Sequence, residues 1–389
     1  MERWLSKSRV LLALSGVLLL SALNRHDPTV FGMFLFLATL SALGLLLPWL
    51  SLRSMQVFAS GSSEAVEGQA CGVQLLIERR AWWPAFMVDV ETHWQWGPRT
   101  IVLSHTLALI RARQRSALGH QIIFPCRGDY RLAKVVLASG FPLGLVIARR
   151  TIALQGVAVL VLPKAEQVFL PADLSAAHDP VGNQVTRRLG QSFELGNLRH
   201  YVAGEPLGRV NWRASARSGE LVIQQFQQSG SPLLHVVTDI PSSNELARPD
   251  APTEQALRVV AGLCEAAEEA GARLRVYLPQ QAEPLRDTRA IHRALAGAMP
   301  DSLPLREALG RLQGRLSEGS QLLVVVSPRW AASLLLREFS AVELGRCPVT
   351  VYIATHPAQA IGDLALAPAL AQALAQAGFQ VISQYPGQP

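Results

Sequence analysis

The sequence predicts a two-helix transmembrane hairpin, then a β-sandwich-like domain, then an α/β domain with a largely parallel sheet. Three observations predict it. Two apolar runs, Val10–Leu23 and Val30–Leu50, open the chain. Short β-branched runs punctuated by Gly, Pro and charge fill Met55 to Leu162. Strand-like and helix-like periods then alternate from Leu233 onward. At 389 residues the chain exceeds what one ordinary core organises, so several units are expected. The expected division is 1–53 for the tail and hairpin, 54–162 for the β-sandwich-like domain, 163–192 for a linker, and 193–389 for a dense polar segment with the α/β domain.

Composition agrees with a membrane-attached chain. Hydrophobic residues make up 49% of it, charged residues only 17%, and the mean hydropathy is +0.22. The net charge of +7 comes mainly from arginines scattered along the chain rather than gathered in a block, so no nucleic-acid partner is expected and an anionic lipid bilayer is the fitting one. Cys71, Cys126, Cys264 and Cys347 are far apart and lack metal-ligand spacing, so they read as small buried hydrophobes.

Val30–Leu50 is long enough to cross a hydrocarbon core of about 30 Å at about 1.5 Å per residue. Val10–Leu23 is shorter, and a signal peptide is its rival reading. The six residues Asn24–Thr29 lead straight into the second run, which favours a helical hairpin. Arg3, Lys7 and Arg9 precede the first run and Arg53 follows the second, while Arg25 and Asp27 balance between them. The positive-inside rule then predicts a multi-pass protein of the bacterial inner membrane with both termini and the globular domains cytoplasmic.

In the β region the expected strands are Val73–Ile77, Phe86–Val90, Ile101–Leu109, Gln121–Phe124, Lys134–Leu137 and Ile152–Leu162. Trp82, Trp83, Trp94 and Trp96 are read as sandwich packing or as rings on the bilayer surface. Arg127–Tyr130 is read as a turn entering a strand. In the α/β region Leu233–Thr238, Leu274–Leu278, Leu322–Val326, Val349–Ala354 and Phe379–Ile382 alternate with helical Glu254–Ala270, Leu305–Leu316, Ala331–Leu344 and Leu364–Ala377, the pattern of a parallel sheet covered on both faces. Ligands in such sheets sit beyond the carboxyl ends of the strands, which singles out Asp239, Ser327 and Thr355.

The densest polar and aromatic stretch is Phe193–Phe226. Read as helical over Leu207–Ser218, it sets Arg209, Arg213 and Arg217 at i, i+4 and i+8, one guanidinium stripe, with Gly219 as the stop and Glu205 favouring the helix N-terminus. Such a stripe grips a carboxylate, phosphate or lipid head group. Alternatively, Glu194, Glu205 and Glu220 pair with some of the arginines and clamp the linker onto the α/β sheet, an internal clasp. No GxSxG elbow, HExxH, Walker A loop or Gly-rich dinucleotide turn occurs. His200 beside Arg199 and Glu205 lacks a marked nucleophile, and His235 in an apolar run reads as a core histidine.

Leu198–Arg199, Tyr201, Gly204–Glu205, Arg209–Val210, Trp212–Arg213–Ala214–Ser215–Ala216–Arg217, Gly219 and Leu221–Phe226 closely resemble the signature of the family known as domain of unknown function 58. An upstream segment, Arg127–Tyr130 through Gly140–Leu145, resembles the same family, with Phe141 where an Asp is usual. The resemblance covers nearly the whole chain. It implies a von Willebrand factor A-like C-terminal domain, a MoxR-type AAA ATPase and a transglutaminase-like membrane protein as partners, and a role in assembling envelope-associated complexes. The expected function is a non-enzymatic, membrane-anchored scaffold or adaptor, the alternative being a metal-dependent or acid–base hydrolase at the membrane surface. Von Willebrand A domains hold a divalent ion such as Mg²⁺ through Asp-x-Ser-x-Ser and oxygens from later loops. Here that motif reads Asp239–Ile240–Pro241–Ser242–Ser243, and Ser327–Pro328 stands where an Asp is expected, so Asp239 and Ser243 are degenerate candidates and no cofactor is expected.

Overall fold

The computed structural model describes residues 7–25, 28–61, 63–154, 156–171, 189–201, 210–227, 233–240, 245–278, 281–300, 305–312, 314–316, 320–340, 347–355 and 361–383. Within them the apolar N-terminal runs form α1 (Lys7–Arg25) and α2 (Pro28–Arg53), which pack on one another. α2 is long and apolar enough to cross a membrane; the apolar part of α1, Arg9–Asn24, is shorter. The buried positions of α2 are Ser41, Gly44, Pro48, Ser51 and Leu52, the first four being small residues at helical spacing that let neighbours approach closely. Its last carbonyls have no partner within the helix. Arg79 donates to Ser51 O, and Arg150 donates to Leu52 O at 2.8 Å and Arg53 O at 2.6 Å. Two cations thus close the negative end of the helix dipole.

Two compact units form, one of Met1–Lys164 with Leu246–Pro249 and the other of Ala165–Glu245 with Asp250–Pro389. In the first, the strands are β1 (Met55–Gly61), β2 (Glu64–Val66), β3 (Ala70–Arg79), β4 (Ala85–Trp96), β5 (Arg99–Ile110), β6 (Arg115–Ile123), β7 (Gly128–Ser139), β8 (Ala148–Ala153) and β9 (Ala158–Leu162). One sheet runs β1-β3-β6; the other runs β2-β9-β7-β4-β5, with β8 also paired to β7. The β2–β9 pair is parallel, so this second sheet is mixed. Period-two patterning builds the core between them. Val73, Leu75 and Ile77 of β3 meet Val88, Val90 and Trp94 of β4 in one buried cluster with Phe124 and Tyr130. Trp96 also faces this core, whereas Trp82 is 73% exposed.

Two expectations are corrected here. Ile152–Leu162 is not one strand: Gly156 at φ 87° separates β8 from β9. Arg127–Tyr130 is not a turn, because β7 already begins at Gly128, where a Cβ would lie 2.3 Å from the Trp96 ring. Only glycine lets that indole cover the strand.

The first helices and strands described in the second unit are β10 (Leu189–His200), α3 (Trp212–Ser218) and β11 (Val222–Gln227). Then follow β12 (Leu233–Thr238), α4 (Pro252–Glu269), β13 (Arg273–Tyr277), α5 (Thr288–Gly297), α6 (Leu305–Gly310), β14 (Ser320–Val326), α7 (Ala332–Ser340), β15 (Val349–Ile353), α8 (Ile361–Gln376) and β16 (Gln380–Ser383). The main sheet is parallel throughout, in the order β13-β12-β14-β15-β16. β14, Ser-Gln-Leu-Leu-Val-Val-Val, is buried at every position, as a strand covered on both faces must be. Its Leu323 and Val325 join Leu257, Val260 and Leu263 of α4, while Leu322, Val324 and Val326 join Phe339 of α7 and Leu374 of α8.

Part of the expected linker belongs to this unit. Glu166 N donates to Arg258 O, and Tyr352 donates its hydroxyl to Phe169 O at 2.8 Å. Val168 and Leu170 pack on the α4 side of the sheet. The strap passes so close that a Cβ on Gly262 would lie 1.8 Å from Glu166 O. Residues 172–188, the rest of the linker apart from the start of β10, lie outside the described residues. The expected helix Leu305–Leu316 ends at Gly310, and α5 is a helix the sequence reading did not contain.

Candidate functional site

The signature stretch folds locally, for legible reasons. Asn211 is the N-cap of α3, its side-chain oxygen accepting from Ala214 N at 3.1 Å. Gly219 stops the helix in the left-handed region at φ 76°, its N–H bonded to Ser215 O. Ser215 clips the helix to the sheet. Its buried hydroxyl donates to Asn211 O at 2.9 Å and accepts from Val222 N at 2.8 Å. β11 in turn pairs antiparallel with β10, His200 opposite Val222 and Arg199 opposite Ile223. Tyr201, half-buried, continues the ladder through its N–H to Leu221 O.

This scaffold carries a groove of about 830 Å³ whose wall includes His200, Asn211, Arg213, Arg217 and Ser218. Arg213 and Arg217 are both exposed and lie one helical turn apart on the same face. Neither has an ion-pair partner among the described residues. Trp212, at the first position of α3, is 64% exposed. The expected helix from Leu207 is shorter than the sequence reading had it, because Asn211 caps it and Val210 forms a β-bridge instead. Among the described residues the stripe comprises Arg213 and Arg217; Arg209, with Gly204 and Glu205, lies outside them. The expected pairing of Glu220 with an arginine is also corrected: its carboxylate meets His200 Nδ1 at 2.8 Å. Both partners are largely exposed, so the pair contributes little.

Chemically the groove offers cationic and hydrogen-bond donors. Ser215 Oγ is committed to main-chain partners, and Ser218 Oγ donates to the carbonyls around Ser215 and Glu220. Such a wall recognises carboxylate or phosphate. Asn211, Ser215 and Ser218 were absent from the sequence-based site. The signal for Asn211 was there, since Asn directly before a helical run is an N-cap pattern.

A second constellation lies where the strand order reverses, beyond the carboxyl ends of β12 and β14, the switch point at which such sheets place ligands. Asp239 Oδ2 accepts from Ser327 Oγ at 2.9 Å and from Trp330 Nε1 at 3.0 Å, while Oδ1 accepts from Ile240 N at 3.0 Å. Burial raises the Asp239 pKa above its ordinary value, and the hydrogen bonds from Ser327, Trp330 and Ile240 oppose that rise. Among the described residues, Asp239 meets hydrogen-bond donors rather than a ring of further ligand oxygens. Mg²⁺ needs converging oxygen lone pairs, and an indole N–H is a donor only. Thr355, at the end of β15, is buried; Ser243 lies outside the described residues. No group of three or more His, Cys, Asp or Glu poised for a metal occurs among the described residues. His235 is a core histidine, stacked on Tyr277 with Nδ1 3.0 Å from its hydroxyl, and burial with the nearby Arg275 lowers its pKa to about 4.

No family model matches the chain, and no curated protein matches it. Among solved structures it is similar to the CARDB domain of the PF1109 protein from Pyrococcus furiosus, at 8% identity and TM-score 0.18, over 28% of this chain and 94% of that one. It is similar to the sporulation control protein Spo0M from Bacillus subtilis, at 8% identity and TM-score 0.17, over 28% of this chain and 50% of that one. A wider match, over 77% of this chain and 82% of that one, is to a GH20 exo-β-N-acetylglucosaminidase from Vibrio harveyi, at 8% identity and TM-score 0.21. Likenesses at these scores carry no argument about function.

Proposed function

We propose that the protein is a membrane-anchored, non-enzymatic adaptor whose arginine groove holds an acidic segment of a partner protein. The observation that carries this reading is the pair Arg213 and Arg217, exposed on one face of α3 beside His200, with no ion-pair partner among the described residues. Of the acids the clasp reading invokes, Glu220 meets His200 instead of an arginine, while the side chains of Glu194 and Glu205 lie outside the described residues. In this reading α1 and α2 are the transmembrane hairpin of a bacterial inner-membrane protein, and the globular units are cytoplasmic. The second unit is von Willebrand factor A-like, with its metal position closed by Trp330. The resemblance of the signature to domain of unknown function 58 makes a MoxR-type AAA ATPase the partner, with a transglutaminase-like membrane protein in the same assembly and envelope-associated complexes as the product.

The test is a crosslinked pull-down from membranes, comparing the native chain with Arg213→Ala/Arg217→Ala. The adaptor reading expects the ATPase to be lost while circular dichroism and expression are unchanged. An ATPase recovered in equal amount with the variant contradicts it.

A further inference from the structure

The loop between β7 and β8 reads Gly140-Phe141-Pro142-Leu143-Gly144-Leu145-Val146-Ile147, without one polar side chain. Leu143, Val146 and Ile147 are exposed, Ile147 by 60%. A soluble connector of that composition is unusual, and its place on α2 is specific. A Cβ on Gly44 would lie 2.7 Å from Leu145 Cδ1 and 3.2 Å from Leu143 Cδ1, so the two leucines rest directly on the helix at that glycine.

Gly44 precedes Trp49 by five residues and Arg53 by nine. At about 1.5 Å per residue it lies roughly 7 Å from Trp49 and about 14 Å from Arg53, both measured back toward the N-terminus of the helix. Trp49 is exposed, with the Arg53 guanidinium over its ring at 5.2 Å, the arrangement of a residue at a membrane–water boundary. Other aromatic groups stand on the neighbouring strand ends. Trp82 is exposed and edge-on to Trp83, and Phe86 stacks against Phe141 with ring centroids 5.0 Å apart. Arg80 and Arg149 are exposed on the same flanking segments. Arg79 and Arg150 hold the end of α2 to β3 and β8 through Ser51, Leu52 and Arg53 carbonyls, so the depth of the loop relative to the helix is fixed.

We propose that Gly140–Ile147 is a membrane-inserted loop, a lipid contact separate from the helices, that seats the β unit on the bilayer surface. The proposal rests on the reading that α2 spans a membrane. If it does, Leu143 and Leu145 lie below the tryptophan boundary at the depth reached by interfacial apolar segments, about 5–10 Å. The loop is suited to it. Gly144 N donates to Gly140 O and Phe141 N to Ser139 Oγ, which leaves fewer bare amides at the apolar boundary. A bilayer is the occupant, rather than a second copy of the chain, because the loop rests at Gly44 on a helix long and apolar enough to cross a membrane, whose Leu43 and Leu46 are also exposed.

The test uses the full chain in phosphatidylethanolamine–phosphatidylglycerol vesicles, in a Cys347→Ser background since the other three cysteines are buried. An environment-sensitive fluorophore is placed through Ile147→Cys, Leu46→Cys or Thr100→Cys, the last on β5 opposite Gln95 and far from the loop. The proposal expects the probes at 147 and 46 to be quenched by acyl-chain spin-labelled lipid and shielded from aqueous iodide, with the reverse at 100. A probe at 147 open to iodide while that at 46 is quenched by lipid overturns the loop proposal and leaves the anchor standing. A probe at 147 shielded from both quenchers overturns it in favour of a protein-covered surface. Iodide access at 46 overturns the anchor reading itself.

Discussion

The indole N–H of Trp330 donates to Asp239 Oδ2 at 3.0 Å, so a donor side chain occupies the carboxylate at the switch point of the parallel sheet. A cation there would have to displace the indole, which is a donor only. The native protein is therefore expected to carry no stoichiometric Mg²⁺ or Mn²⁺ by elemental analysis after gel filtration. Trp330→Phe removes one donor from a buried carboxylate and is expected to lower stability by about 1–3 kcal/mol, read as a shift in the urea midpoint. Stoichiometric metal in the native chain, lost in Asp239→Ala, is the contrary result.

His235 makes the stability of the α/β unit pH-dependent. Its pKa falls from the ordinary 6.5 to about 4 in the folded chain, so the unfolded chain binds more protons between those values. The stabilisation is present above pH 6.5 and is lost as pH falls toward 4. The full loss is on the order of 3 kcal/mol. Asp239 acts with the opposite sign: its raised pKa gives a contribution present at low pH and lost as pH rises through the folded value. Urea midpoints at pH 7.5 and 4.5 should differ, and His235→Leu should reduce the difference. An unchanged difference in that variant removes His235 as its source.

Gly262 admits the strap Ala165–Pro171 to the surface of α4. Gly262→Val places side-chain atoms where Glu166 O now lies. The expected result is a loss of at least about 2 kcal/mol, or detachment of the strap. Limited proteolysis distinguishes the two by new cleavage near Glu166 with the rest of the unit intact. Native-like stability and no new cleavage would mean that the strap is not held there.

Ser215 serves the groove by holding α3 rather than by touching a ligand. Ser215→Ala leaves Val222 N without its buried acceptor, an expected cost of about 1–3 kcal/mol. Asn211→Ala removes a cap worth about 1 kcal/mol. Both should weaken partner binding only in proportion to lost structure, which hydrogen exchange at Ser215 and Val222 amides reports. Binding abolished with exchange unchanged would instead make either side chain a direct contact.

Much of the α/β fold was legible because its signals are local. The apolar run Leu233–Thr238 is β12 end for end, and the helix expected from Glu254 is α4, which begins two residues earlier at Pro252. What escaped depends on partners distant in sequence. Nothing near Gly262 announces that Glu166 crosses over it, and nothing near Arg150 announces the carbonyls of α2. At the groove Arg213 and Arg217 were legible as neighbours on a helix face, but the cap at Asn211 starts the helix later than the sequence suggests. The role of Ser215 was hidden because a serine flanked by alanines looks like filler until its β11 partner is known.

The adaptor account is tested most directly by measuring the affinity of a purified MoxR-type AAA ATPase for the full chain in nanodiscs, native against Arg213→Glu/Arg217→Glu. Reversal of two contacting charges should weaken binding at least tenfold, about 1.4 kcal/mol, and added salt should weaken the native complex more than the variant. Equal affinity and equal salt dependence for the two chains would contradict the claim that this groove is the docking site.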